Sequence, residues 1–452
     1  ALTVLGNFTN EGTTVLSSSS GGDLVLQGDF DDNGTFTANG RAVFFEGGST
    51  QNINSTSDPL EIDVMRINKS GGEVIMNQNL LVDETSDPIQ FNSATSVLNL
   101  NGNSLTLGKA NVTSSITMTS GSSIKGNISS DITILGKGDF GNITFDATDN
   151  ILNVLNVNRS NFGSVGLDSS LLVTNLELPN GNLDLNGNTL TLSGDIRPNS
   201  GPGTIEGSAT NSTLIFDDSS TARTLESGDL QNDEIANLTI DESAGITINT
   251  NLTVTENLDI NAGDNFLEGG FVLDVDGATM DVASAADFTF KSNPADASNN
   301  AGDAQLAEIT NTAATTLNGN VTTERYFTNI RAFRLIAPSL TTTSSINANW
   351  QEGVNNIGTN YPADNEDPNT GFGTHITGST SGANGFDATP SGNPSLFTFD
   401  NASFQWNALN SSNGTTNTTL NAGDAYRLLI RGDRSINVTS NAATATETRV
   451  RT

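Results

Sequence analysis

A chain of 452 residues with a net charge of −33, 34% hydrophobic residues and no Cys has length for more than one domain but too few apolar residues for one large globular core. The acidity sits in residues 1–320, with 10 Lys/Arg and 41 Asp/Glu (10 − 41 = −31), against 8 and 10 in residues 321–452 (8 − 10 = −2); this argues against nucleic acid and anionic lipid as partners, because the acidic first part would repel both. One His and no Cys exclude an all-nitrogen-and-sulfur zinc site, and no apolar run reaches the ~18 residues of a membrane-spanning helix.

The chain opens inside a strand-like pattern (Leu2, Val4, Leu5) and is therefore expected to be a portion of a longer protein. A short repeat follows at once: Gly6-Asn7-Phe8-Thr9-Asn10-Glu11-Gly12-Thr13 returns as Gly28-Asp29-Phe30-Asp31-Asp32-Asn33-Gly34-Thr35, 28 − 6 = 22 residues on, the length of one solenoid coil. A longer repeat matches Leu98–Leu107 (LNLNGNSLTL) to Leu183–Leu192 (LDLNGNTLTL), 183 − 98 = 85 residues apart, with a weaker third copy beginning Leu258-Asp259-Ile260-Asn261. Each copy has an upstream partner: Ile62–Asn68, Phe140–Phe145 and Ile235–Asp241. These define super-repeats over about 61–139, 140–234 and 235–292.

Within the repeats Leu, Ile, Val and Phe alternate with Asn, Asp and Thr at period 2, the signature of half-buried strands. Asn101-Gly102 and Asn186-Gly187 fit either two-residue hairpins of tandem sandwiches or the corners of a solenoid, since Asn and Gly accept positive φ in both. The solenoid is preferred because sandwich cores usually carry aromatics, and residues 1–320 contain neither Trp nor Tyr. At ~22 residues and ~4.8 Å per coil, 320 residues would make a rod of about 70 Å. The predicted fold is thus all-β, an elongated solenoid over 1–320 followed by a compact β-sandwich-like domain over 321–452.

The boundary at 318–325 rests on shifts in charge, aromatic content and Arg usage. The Ala/Asn/Asp-rich segment Asn293–Ala314 would supply the last coils, a cap or a linker. Beyond it, strands are expected at Arg331–Ile336, Ser395–Phe399, Ala425–Ile430 and Ser435–Val438, with irregular loops over Asn355–Pro394.

Candidate sites are few. Asp29-x-Asp31-x-Asn33-Gly34 matches the opening half of a calcium loop, but Gly40 stands where the twelfth-position Glu belongs, and the sister repeat has Asn7, Thr9 and Glu11 at the matching places. Asp364, Glu366 and Asp367 form a second acidic group with hard oxygen ligands. No cofactor is expected, and calcium is the one ion for which the sequence offers ligands. No catalytic residue is assigned. His375 has no G-x-S-x-G elbow beside it. The ten basic residues of the rod are scattered, where a polysaccharide lyase would cluster them. Trp350, Trp406, Tyr426, Arg427 and Arg431 are the candidate ligand-binding residues: indoles stack on sugar rings and Arg pairs with anions, although Trp and Tyr equally build the core of a small β domain.

Several stretches together resemble a module of very large surface and secreted proteins of Bacteroidota, especially flavobacteria. They are Glu324-Arg325-Tyr326-Phe327, Arg331–Pro338 (RAFRLIAP), Asn349-Trp350-Gln351-Glu352-Gly353, Gly373–Gly378 (GTHITG), Asn393–Phe397 (NPSLF) and Gly423–Asp433 (GDAYRLLIRGD). The N-L-T-I…L-D-L-N-G-N-T-L-T-L pattern resembles the β-helical repeats that precede the module, so the likeness covers nearly the whole chain. It implies an extracellular, cell-surface location, export by the type IX secretion route with secretion and outer-membrane machinery as partners, and an adhesin-like or coat-like role. It implies no particular chemistry. Such proteins usually end in a separate sorting domain, which is not seen here. Glycans or other cell-surface components are the expected targets, with a carbohydrate-binding or polysaccharide-degrading exoprotein as the alternative.

Overall fold

The computed structural model describes every residue except 84–85, 197–200, 218–220, 295–301, 358–368, 410–411 and 437–445. From Leu2 to about residue 318 the chain winds into a parallel β-solenoid of about twelve turns, each strand bonded to its counterparts one coil before and one coil after. Coil length varies: Leu2 pairs with Leu24 (24 − 2 = 22), Leu24 with Val43 (43 − 24 = 19) and Ile89 with Ile116 (116 − 89 = 27). About twelve turns at ~4.8 Å give a rod of roughly 60 Å, shorter than the 22-residue period implied, because some coils are longer, as between Ile89 and Ile116.

Period-2 alternation sends every second side chain inward. Leu171, Leu190, Leu214, Leu238, Leu258 and Met280 lie in register on successive coils, all buried, and form one continuous column. Burying a side chain of this kind contributes about 1.5–3 kcal/mol. This is how 34% hydrophobic residues suffice: each coil needs only a strip. Asn amides donate to carboxylates one coil away, buried at Asn10 to Asp32 (2.6 Å) and nearer the surface at Asn142 to Asp168 (2.7 Å), Asn182 to Glu206 (2.7 Å) and Asn237 to Glu256 (2.7 Å). These ladders account for the abundance of Asn alongside acids.

The Asn-Gly pairs are corners. Asn101 and Gly102 have φ of 52° and 82°, and Asn186 and Gly187 have 49° and 79°. The flanking strands Val97–Asn99 and Ser104–Leu107 do not pair with each other. The first pairs with Val74–Met76 and Ser123–Lys125, the second with Leu80–Val82 and Asp131–Lys137. Leu98, Leu100, Leu105 and Leu107 are all buried, as are their counterparts 85 residues on. The third copy falls elsewhere. Leu258 pairs with Leu238 in the column beneath Leu190, whereas Leu183 pairs with Ile205 on a different face. An L-x-I triplet fits any face of an alternating coil, so three matching residues do not fix phase.

Arg223 is buried against Glu242 (2.7 Å), and two further cations, Lys69 and Arg159, turn inward to backbone carbonyls. Lys69 Nζ donates to the carbonyls of Glu46 (3.3 Å) and Ser49 (2.6 Å) and to Gln51 Oε1 (2.6 Å), and no carboxylate among the described residues pairs with it; burial pushes it down to about 8. Arg159 spans neighbouring coils, donating to the carbonyls of Ser114, Leu135, Lys137 and Gly138 and to Ser114 Oγ, with its guanidinium over Phe140 at 5.0 Å.

The rod runs into the C-terminal part through a shared strand. Thr322–Phe327 lies parallel to Asp287–Phe290 of the rod and antiparallel to Thr448–Arg451, near the chain's end. The composition boundary thus coincides with the last rung of a rod sheet. Between them, Ser292–Asn293 and Gly302–Asp303 form a small antiparallel pair, and Gln305–Leu306 and Thr316–Asn318 continue the coil. The expected strands appear as Ala332–Ile336, Leu396–Asp400 and Tyr426–Ile430. With Gln405–Ala408, which the sequence did not announce, they make a four-stranded antiparallel sheet. Ser435 and Ile436 lie in a turn, and the rest of that expected strand is outside the described residues. The inner side of the sheet shares a core with the helix Ile346–Trp350, Phe386, Leu420 and Val450.

Candidate functional site

The four-stranded sheet is apolar on both faces. Tyr426, Leu428, Ile430 and Leu396 face the core and are buried. Alternation sends Phe333, Leu335, Phe397, Phe399, Trp406, Arg427 and Leu429 to the opposite face, which no layer of the described residues covers: Phe333 is 48% exposed and Leu335 75%. Cross-strand register brings them together. Phe399 is opposite Trp406, Phe397 opposite Arg427, Arg427 opposite Leu335 and Phe333 opposite Leu429. Arg427 occupies the centre, its guanidinium 4.3 Å from the ring of Phe397, 5.0 Å from Phe333 and 5.6 Å from Trp406. Its Nε is shielded from solvent without a hydrogen-bond acceptor, and no carboxylate among the described residues pairs with it. Beside the face, Asp400 caps the tight turn between Leu396–Asp400 and Gln405–Ala408 by accepting from the Ser403 hydroxyl (2.6 Å) and the Ala402 amide (2.8 Å), which hold its carboxyl below the usual range. That turn ends on Phe404, 79% exposed at φ 54°, a left-handed conformation costly for an aromatic residue.

The five candidate ligand residues divide. Trp406 and Arg427 lie on this open face. Trp350 and Tyr426 do not: both are in the core, ring against ring at 5.3 Å, with Trp350 Nε1 donating to Thr452 Oγ1 (3.2 Å). Arg431, just past its strand, is half-buried; burial and the like charge of Arg331 lower its pKa. The residues that sequence reading missed are Phe333, Leu335, Phe397, Phe399 and Leu429. Their signal was present, since Tyr426–Ile430 and Leu396–Phe399 carry bulky apolar groups at both odd and even positions, which marks a strand apolar on both sides.

The candidate calcium ligands are spread along the rod surface. Asp29 accepts from the backbone of Asn52 (2.7 Å) and from Asn7, Asp31 from Asn54 (2.6 Å), while Asn33 donates to Glu11 (3.0 Å). Each is thus a rung of an inter-coil ladder, and the three do not converge on a point. Asp364, Glu366 and Asp367 lie outside the described residues. Among the described residues, the three carboxylates that do come together are Glu61, Asp63 and Asp83, with Lys109 3.2 Å from Asp83 and Gly40 N–H on Asp63.

His375 is wholly buried in a polar cluster. Its Nε2 donates to the Arg434 carbonyl (2.8 Å) and its Nδ1 lies 3.3 Å from Asp387. Asp387 also takes Arg434 Nη2 (3.0 Å), Gln351 Nε2 (3.0 Å) and the amides of Ile376 (2.7 Å) and Asn356 (2.8 Å). Burial alone would raise its pKa, but His375 and Arg434 overcome that and hold it down to about 2. Sealed from solvent, this group ties the 351, 375, 387 and 434 segments into one scaffold behind the sheet. Comparison with family models, with characterised proteins and with solved structures gives no match to this chain.

Proposed function

We propose that the chain is an extracellular structural or adhesive protein of the cell surface. In this reading an acidic solenoid rod holds its C-terminal β module at a distance and offers the module's open face to a partner. One observation carries it: the face of Phe333, Phe397, Phe399 and Trp406 around an Arg427 that no described acid pairs with. Large apolar side chains ringing a desolvated Arg are the composition of protein-contact hot spots. A protein target carrying a carboxylate is favoured over sugar stacking, because the guanidinium already covers ring faces that a sugar would need. The resemblance to flavobacterial surface proteins supports export by the type IX route, with the secretion and outer-membrane machinery as a further partner. Binding of the purified chain to intact cells, measured with Trp406→Ala and Arg427→Ala, is the test. The reading expects both variants to remain folded and to lose binding; retention of binding by both would remove this face from the account. A glycan array with Trp406→Ala addresses the carbohydrate alternative, for which the exposed Phe399–Trp406 pair, 5.1 Å between centroids, is the supporting feature.

A further inference from the structure

The rod and the module do not close fully where they share Thr322–Phe327. A cleft of about 600 Å³ remains, walled by Phe290 and Ala304 from the rod, Tyr326 and Phe327 from the shared strand, and Ile336 and Trp350 from the module. Its volume lies within the ~300–1,000 Å³ usual for small-molecule sites, and junctions between structural units are where such sites concentrate.

Four charged side chains reach the walls: Asp303, Glu324, Arg325 and Arg334. Asp303 pairs with Arg325, and Glu324 pairs with Arg451 at 3.3 Å and Arg449 at 3.9 Å. Arg334 is left over. No hydrogen bond or ion pair joins it to any described residue, and its Nε is shielded from solvent without an acceptor. It sits between Ala332 and Ile336 on the sheet's inward-facing side, opposite Leu428, where an aliphatic residue would be the ordinary occupant. The shielded Nε is unfavourable there unless something supplies an oxygen, and the planar fork of a guanidinium matches the two oxygens of a carboxylate. In a chain of net charge −33, a cation in this cleft without an ion pair to any described residue is also a local inversion of the surrounding field.

We propose that this junction cleft binds a small molecule bearing a carboxylate on a ring-sized, partly apolar body. The uronic-acid end of a glycan is the chemical class that fits, with Arg334 receiving the carboxylate and the ring lying against Tyr326 and Ile336. The site is independent of the Arg427 face, which lies on the other side of the same sheet.

Isothermal titration of the whole chain with galacturonic acid oligomers, neutral galactose oligomers and inorganic phosphate tests it. Saturable binding of the acidic sugar is expected, with the neutral sugar and phosphate each weaker by at least ~tenfold. Arg334→Gln should lose at least ~tenfold and Arg334→Lys less. Ala337→Phe, at an exposed wall position where added bulk leaves every charge in place, should also block binding. Arg427→Gln should leave it unchanged, which separates this site from the adhesive face. An absence of saturable binding, or binding unaffected by both Arg334→Gln and Ala337→Phe, overturns the proposal. Equal affinity for phosphate overturns it too, since the sugar ring would then contribute nothing. Should Arg334→Gln fail to fold, the Arg334→Lys and Ala337→Phe arms decide.

Discussion

Arg159→Met takes away the cation that bridges the coils holding Ser114, Leu135–Gly138 and Arg159 itself. Five hydrogen bonds go with it. At about 1 kcal/mol per acceptor left without a donor, the loss is about 5 kcal/mol. Part returns because the buried charge is itself unfavourable: burial lowers the pKa of Arg159 from 12.5 to about 10, a difference equivalent to about 3 kcal/mol. The net destabilisation expected is therefore about 2 kcal/mol. Arg159→Lys should be worse than Met, since Lys keeps the buried charge but has only three donors to offer. Urea unfolding followed by two probes reads this out. Both Trp residues, Trp350 and Trp406, lie in the C-terminal part, so fluorescence reports the module while far-ultraviolet dichroism is dominated by the rod. The dichroism midpoint should fall with the fluorescence midpoint nearly fixed, as expected where each coil contacts only its neighbours. An unchanged dichroism midpoint for Met, or Lys proving the more stable of the two, would refute the reasoning.

Three further outcomes follow from the buried groups. Asp387, held down to about 2 from 3.8, contributes roughly 2 kcal/mol that is present above about pH 4 and lost as pH falls toward 2; Trp fluorescence during acid titration should show this loss, and Asp387→Asn should abolish that step. Lys69 has the opposite sense: its folded pKa of about 8 lies below the ordinary 10.5, so rod stability should rise between those pH values, and Lys69→Met should flatten the rise when urea midpoints are compared by dichroism. Trp350→Ala should cost the module about 3–5 kcal/mol through the cavity it leaves, whereas Trp406→Ala on the open face should cost well under half of that by thermal melt.

The rod was legible because its physics is local and repetitive. Inward Leu and Ile at every second position, left-handed Asn-Gly at corners and a lack of Trp and Tyr suffice to specify coils without knowledge of distant contacts. Phase was harder: Leu258-Asp259-Ile260 looks like a third copy yet stacks beneath Leu190 and Leu214. The corner cations were hidden for a related reason, since nothing in the neighbours of Lys69 or Arg159 in sequence says that they turn inward to carbonyls of other coils. In the C-terminal part, strands were visible but their faces were not. Trp350 and Trp406 look alike in composition, and only the helix Ile346–Trp350, too short to show a period, buries one and not the other. Asp387 was passed over because its partners, Gln351, His375 and Arg434, are brought together only by tertiary folding.

Thr322–Phe327 also has a mechanical meaning. Strands in this rod run across its axis, so the inter-coil hydrogen bonds point along it and share any pulling load around the whole perimeter of a coil. At the junction the strand pairing narrows: Thr289 and Phe290 meet Thr322 and Thr323, short pairings at Val272–Leu273 and Thr279–Asp281 assist, and Ser292 adds side-chain and backbone bonds to Tyr326 and Arg449. A force applied through the module is therefore concentrated on the rung that also forms the wall of the cleft. A molecule lodged there, touching both sides, would act as a rivet across the joint that yields first.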